Sequence, residues 1–255
     1  MKQSIILWIA AATITFLVGF VQNRTSATYP ISGTLGIDGQ KVSYHFKMVH
    51  RNKDDYILLL RTDVEYLKGI IKWRKSNENQ DWHIDSMKYS DGSLTATIPK
   101  QEALTEVEYR LTLSYKGKEY FLPNNNLQQI LFLGPVPLSI LIHYYLTLFI
   151  GILLAVRAGL EFFNNKPRLR LYSIFTIISF FSCAMIFAPV KKAYEMGAIG
   201  KTVPPIDKLF EIWLIALLII WILNLILVSY SRILKTWVLA VSILTILLFY
   251  SQNFF

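Results

Sequence analysis

The residues of this chain with the widest chemical range are its histidines, its methionines, one cysteine and a few charged side chains set in or beside long apolar runs. His143 is the histidine inside such a run. An imidazole buried among helices can ligate haem iron or meet a quinone oxygen. A six-coordinate haem needs a second axial ligand, and no other histidine occupies a comparable run. His143 also stands near one end of its run beside Tyr144 and Tyr145, the setting of an interfacial aromatic belt, so packing is the plainer reading. Met48 and His50 alternate onto one face of an expected strand, and His83 and Met87 share parity on another segment. Thioether with imidazole suits copper. The plainer reading is that exposed histidines and core methionines are ordinary in a β domain.

Among the charged residues, Arg157 and Glu161 are spaced i,i+4 and can pair where an apolar helix meets the membrane surface. Glu211 is the acid placed deepest in an apolar run, and Lys208, three residues earlier, is its expected surface partner. Lys191, Lys192 and Lys201, with Glu195 and Asp207 as counter-charges, make a loop suited to lipid phosphates or a protein partner. Gly200-Lys201-Thr202 resembles the end of a phosphate-binding loop. The glycine that motif needs five positions earlier is Glu195, and an apolar run precedes the segment instead of a strand, which argues against nucleotide. Cys183, alone in an apolar run, excludes an intrachain disulfide, a thiolate cluster and a CxxC pair. No acid–base pair, no nucleophile beside a base and no HExxH motif stands out, so the sequence points away from an enzyme and implies no cofactor.

The elements that must position these residues fall into two kinds. With 53% hydrophobic residues and a mean hydropathy of +0.39, the 255-residue chain is too apolar for one soluble domain, and the excess lies in long uncharged runs. A bilayer core needs about 20 apolar residues per helix. Residues 3–22 form the first such run, read as an uncleaved signal anchor (1–24). Four more follow in a bundle (134–255): Val136–Val156 after the breakers Gly134, Pro135 and Pro137, Leu171–Pro189, Leu209–Val228 and Thr236–Tyr250. Between them, residues 25–133 alternate apolar and polar residues at period two, with Asp38-Gly39, Asp91-Gly92 and Lys116-Gly117 as turn signals. Seven or so short strands without a helical period predict an antiparallel sandwich of immunoglobulin or fibronectin type III kind. Ile57–Leu60 is a continuous apolar run, readable as a strand buried on both faces or as a membrane-facing loop.

The net charge of +9 does not gather into a basic tail or stripe, which excludes nucleic acid as the natural partner. Lys2, Arg157, Lys166, Arg168, Arg170, Arg232 and Lys235 instead flank apolar runs on one side. By the positive-inside rule this predicts a cytoplasmic amino terminus, with the β domain and the carboxyl terminus outside.

PVPLSILIHYYLTLF and LLAVRAGLE within 134–161, and APVKKAYEMGAIGKTVPPIDK at 188–208, resemble an uncharacterised family of bacterial inner-membrane proteins that join an extracytoplasmic β domain to a terminal helix bundle. Thr202-Val-Pro-Pro departs from that pattern. The resemblance implies an envelope location and brings no catalytic residue with it. The sequence therefore predicts an α+β membrane protein of the inner membrane with five spanning helices. Its expected role is a non-catalytic accessory or scaffold subunit of an envelope complex, with membrane lipids and other membrane or periplasmic proteins as partners. The alternative is a protein that handles copper, haem or quinone through the His/Met pairs or His143.

Overall fold

The computed structural model describes residues 2–51, 53–64, 66–76, 81–123, 127–201, 204–230 and 235–252. Arg232 and Thr202, used above for orientation and for the loop motif, lie outside them. The chain divides into two compact units. One comprises residues 28–135 with 195–197, and the other residues 1–27, 136–194 and 198–255.

The first unit is built of strands. In chain order these are β1 (Ile31–Ile37), β2 (Gln40–Phe46), β3 (Val49–His50), β4 (Tyr56–Thr62), β5 (Lys68–Lys75), β6 (His83–Ser86), β7 (Lys88–Ser90), β8 (Ser93–Ile98), β9 (Glu106–Tyr115), β10 (Lys118–Leu122) and β11 (Gln128–Phe132). They form two sheets, β1-β2-β4-β8-β7 and β3-β11-β9-β5-β6, with β10 also paired to β9. Three two-residue turns set the register of β1–β2, β7–β8 and β9–β10. At each, both central residues have positive φ: Asp38 and Gly39, Asp91 and Gly92, Lys116 and Gly117. That is the backbone a two-residue hairpin of right-handed twist requires, and glycine in the second place adopts it without strain.

Alternation then decides the faces. Val42, Phe46, Leu58 and Leu60 of one sheet and Ile71, Leu111, Leu113 and Ile130 of the other share one buried apolar cluster. Ile57–Leu60 is not buried on both faces. Leu58 and Leu60 point inward, while Ile57 and Leu59 stay 62% and 41% exposed. The sheets are also not wholly antiparallel, because β3 pairs with β11 in parallel through Val49 and His50.

The second unit is helical: α1 (Lys2–Thr25), α2 (Leu138–Gly159, extended by a 3-10 turn to Phe163), α3 (Leu169–Ser182), α4 (Ala188–Glu195), the single turn α5 (Ile206–Leu209), α6 (Ile212–Tyr230) and α7 (Lys235–Ser251). Four helical stretches are long and apolar enough to cross a membrane: Lys2–Thr25, Leu138–Phe163, Leu169–Glu195 and Ile212–Tyr230. The expected fifth, α7, has 17 residues and spans about 25 Å, less than the 30 Å of a typical hydrocarbon core.

The third stretch does not stop at Pro189 as the sequence predicts. It runs on to Glu195 through a π turn at Cys183–Phe187. Proline lacks the N–H that a regular helix would direct at the preceding turn, and a wider turn just before it absorbs the mismatch.

Close backbone approach sets the packing of α2. A Cβ on Gly151 would stand 2.6 Å from the Phe180 ring, and one on Gly159 2.5 Å from Ser242 Cβ. Glycine at these two positions therefore admits α3 and α7 against α2.

Candidate functional site: two buried charge clusters in the helical unit

The helical unit holds two clusters of buried charge, separated along α2 by the interval from Tyr144 to Arg157, about 20 Å at 1.5 Å per residue. The first forms at the end of α2. Arg157 and Glu161 are 1% and 0% exposed, and Arg157 Nη1 donates to Glu161 Oε1 at 2.5 Å. The other carboxylate oxygen, Oε2, accepts from Asn164 Nδ2 at 2.9 Å and from the Arg168 backbone N–H at 2.7 Å. Lys235 Nζ, at the start of α7, donates to the Asn164 carbonyl. The Arg157 guanidinium stacks over Tyr172 of α3 at 4.7 Å and Trp8 of α1 at 5.5 Å, and those two rings meet edge to face at 5.9 Å. Gln3 Nε2 donates to the Phe163 carbonyl at 2.7 Å. One ion pair thus ties together α1, α2, α3 and the α2–α3 loop, and Lys235 joins α7 to that loop. Sequence spacing predicts the pair itself. Its full burial and its partners in α1, α3 and the α2–α3 loop go beyond what an i,i+4 match can reveal.

The second cluster joins α2, α4 and the residue before α6. Glu211 pairs with Lys191, Nζ to Oε1 3.1 Å, and not with Lys208 as sequence proximity predicts. Tyr144 donates to the other Glu211 oxygen at 3.0 Å, and Lys191 Nζ lies 4.0 Å from the Tyr144 ring centre. The Lys191 and Glu211 side chains are only 11% and 12% exposed. Lys208, Asp207 and Lys201 are exposed. The reason for the difference is geometric. Lys191 can reach Glu211 because α4 continues past Pro189, whereas Lys208 belongs to a short separate turn. Tyr144 reads in sequence as an interfacial ring. Its role as a hydrogen-bond donor to a carboxylate 67 residues away leaves no local signal.

Between the clusters, neutral polar groups cross-link the helices. Asn224 Nδ2 donates to Ser173 Oγ at 3.0 Å, Trp221 Nε1 to Thr245 Oγ1 at 2.9 Å, and Ser179 Oγ to the Thr147 carbonyl at 2.8 Å. Such bonds hold helices together where hydrocarbon offers polar groups no alternative partner. Arg157 Nε and Asn224 Oδ1 are buried without a hydrogen-bond partner among the described residues.

The candidate ligands are scattered. His143 is exposed on the surface of α2, its Nδ1 2.7 Å from the Ser139 carbonyl and its ring stacked on Phe187. His50 is buried and bonds the Asp54 carbonyl at 2.9 Å, with Tyr56 and Phe132 against its ring. Met48 is half-buried beside it, its carbonyl accepting from Leu131 N–H. His83 is exposed and stacks on Trp73 at 4.4 Å, while Met87 is buried in the core over Gly69.

β3 and β6 occupy opposite edges of the same sheet, four strand spacings or about 19 Å apart, so His50 and His83 do not converge. Among the described residues no group of three or more His, Cys, Asp or Glu is placed to hold a metal. Within the strand unit, Glu195 is 5% exposed and pairs with Arg51 at 3.3 Å. Lys192 is half-buried.

No family model and no curated protein matches the chain. Among solved structures, the crystal structure of a Br derivative of BhCBM56 is similar over 38% of this chain and 97% of its own, at 10% identity and a TM-score of 0.27, a likeness too loose to carry an argument.

Proposed function

We propose that the chain is a non-catalytic integral membrane protein of the bacterial inner membrane that presents its strand unit outside the cytoplasm as an accessory subunit of an envelope complex. The observation that carries this reading is the fate of the two carboxylates held inside the helical unit. Glu161 and Glu211 are both committed to donors of the same chain, with the helix ends as what they fix. A catalytic or ion-conducting carboxylate keeps a face for substrate or water; these two act as clamps.

Orientation draws support from the end of the unit where α1 begins, α2 ends and α7 begins. Lys166, Arg168 and Arg170 are exposed there, with Lys235 bonded to the α2–α3 loop, in keeping with a cytoplasmic side. An immunoglobulin-type sandwich is the reading favoured by the strand order. With the two-residue β3 left aside, β2-β4-β8-β7 in one sheet and β11-β9-β5-β6 in the other, the chain changing sheet after β4, β6 and β8, follows the ABED/CFG scheme. The family resemblance of residues 134–161 and 188–208 agrees with an envelope location.

Mild-detergent purification from native membranes tests the role. A partner protein present in fixed stoichiometry is expected, with no Soret band and no stoichiometric copper. A protein that elutes alone and carries either cofactor would overturn the proposal in favour of the metal- or haem-handling alternative.

A further inference from the structure

The outer face of the β6-β5-β9-β10 ribbon breaks a pairing rule. Lys72 of β5 stands directly opposite Arg110 of β9, and both side chains point away from the core. Cross-strand neighbours lie about 5 Å apart at Cβ, and like charges there destabilise the sheet. Neither cation has an ion pair among the described residues, and Arg110 Nε is buried with no hydrogen-bond partner. The adjoining row shows what a settled pair looks like: Arg74 meets Glu108 at 3.1 Å and lies over the Trp82 ring. Apolar side chains frame the unsettled pair. Ile84, across from Lys72 on β6, is 60% exposed; Ile70 and Phe121, both in register with Thr112, are 40% and 37% exposed. A position that defies local preference without internal compensation is where a binding function is expected to supply the missing partner.

We propose that this face is the docking surface for an acidic protein segment whose carboxylates meet Lys72 and Arg110 and whose apolar side chains cover Ile70, Ile84 and Phe121. The proposal rests on the reading of the strand unit as the part presented to a partner, and it names that partner's chemistry. Charge complementarity selects the occupant. A second copy of the same face would bring cation against cation, and a neutral apolar surface would leave both cations buried and unpaired.

The test uses the full chain in phosphatidylcholine nanodiscs and a fluorescein-labelled peptide alternating Glu and Leu, read by anisotropy. The expected result is saturable binding that weakens with salt and falls at least tenfold in Lys72→Glu/Arg110→Glu. The single Lys72→Glu variant should melt no lower than the parent, because it replaces a repulsive pair with an attractive one, so its own weaker binding of the peptide cannot be ascribed to unfolding. Equal binding of a Gln/Leu peptide, or binding unchanged in the double variant, overturns the proposal. So does a preference of the same face for vesicles of anionic phospholipid over the peptide. Because the probe is added to purified protein, this outcome is independent of whether a complex is recovered from native membranes.

Discussion

The Arg157–Glu161 clamp makes the most demanding prediction. Glu161→Leu leaves a guanidinium at 1% exposure without its counter-charge, and removing one partner of a buried pair costs about 3–5 kcal/mol. It also strands Asn164 Nδ2 and the Arg168 N–H, both half-buried, which brings the expected loss to about 4–5 kcal/mol in all. Arg157→Met is milder, about 3 kcal/mol, because the carboxylate keeps those two donors. In the double variant the stranded donors and the lost stacking on Tyr172 and Trp8 remain, about 4 kcal/mol, but no lone charge does. The coupling between the two sites is therefore about 3 kcal/mol, measured as a double-mutant cycle by reversible unfolding in mixed micelles. Additive losses, or a Glu161→Leu cost below about 1 kcal/mol, would refute the claim that this pair holds the helix ends.

Three further outcomes follow from the packing and the titration of buried groups. Gly151→Ala and Gly159→Ala push a methyl into Phe180 and Ser242 and should each destabilise the helical unit by about 1–3 kcal/mol in the same unfolding assay, whereas Gly19→Ala, with nothing within 4 Å, should be neutral or better. In the strand unit, burial pushes the phenols of Tyr56 and Tyr109 above the usual tyrosine range, with Tyr56 adding to the rise at Tyr109. The folded state therefore prefers them protonated. Their contribution is complete below pH 10.0 and is lost as pH climbs from there toward the folded-state values, so phenolate absorbance should show a set of tyrosines that ionise only with unfolding, smaller by one in Tyr109→Phe. At the acid end, Lys116 holds the Asp38 carboxylate below its ordinary range by hydrogen bond and charge. That small, fully exposed contribution is present above pH 3.8 and fades as pH falls below it, and Asp38→Asn should remove it from an acid-unfolding curve.

Local chemistry was legible in the sequence. Asp38-Gly39, Asp91-Gly92 and Lys116-Gly117 announce three hairpins because only a few residue types tolerate positive φ at both turn positions. The faces of β5 and β9 follow from alternation once the register is fixed, whereas the unbroken apolar run Ile57–Leu60 of β4 hides which of its residues face inward. What escaped was what depends on distant chain. Lys191 meets Glu211 and Lys235 meets Asn164 across 20 and 71 residues, and no spacing rule covers such pairs. Lys208 attracted the assignment for Glu211 only because it is near in sequence. Pro189 read as a stop because proline usually is one, and the π turn that accommodates it carries no signature of its own. The two-residue parallel strand β3, which places His50 at one sheet edge, is too short for any periodicity to register.

In the proposed topology, hydrocarbon surrounds the helical unit while water outside the cytoplasm surrounds the strands. Cys183 is buried and is the chain's one cysteine, so a Cys183→Ser background gives a blank for labelling. Single cysteines at Lys53 in the strand unit and at Asn165 in the α2–α3 loop, both exposed, can then be challenged with a membrane-impermeant maleimide. Intact spheroplasts should label the Lys53→Cys variant at once and the Asn165→Cys variant only after lysis. Labelling of Asn165→Cys in intact spheroplasts with Lys53→Cys protected would show the opposite orientation and overturn that topology.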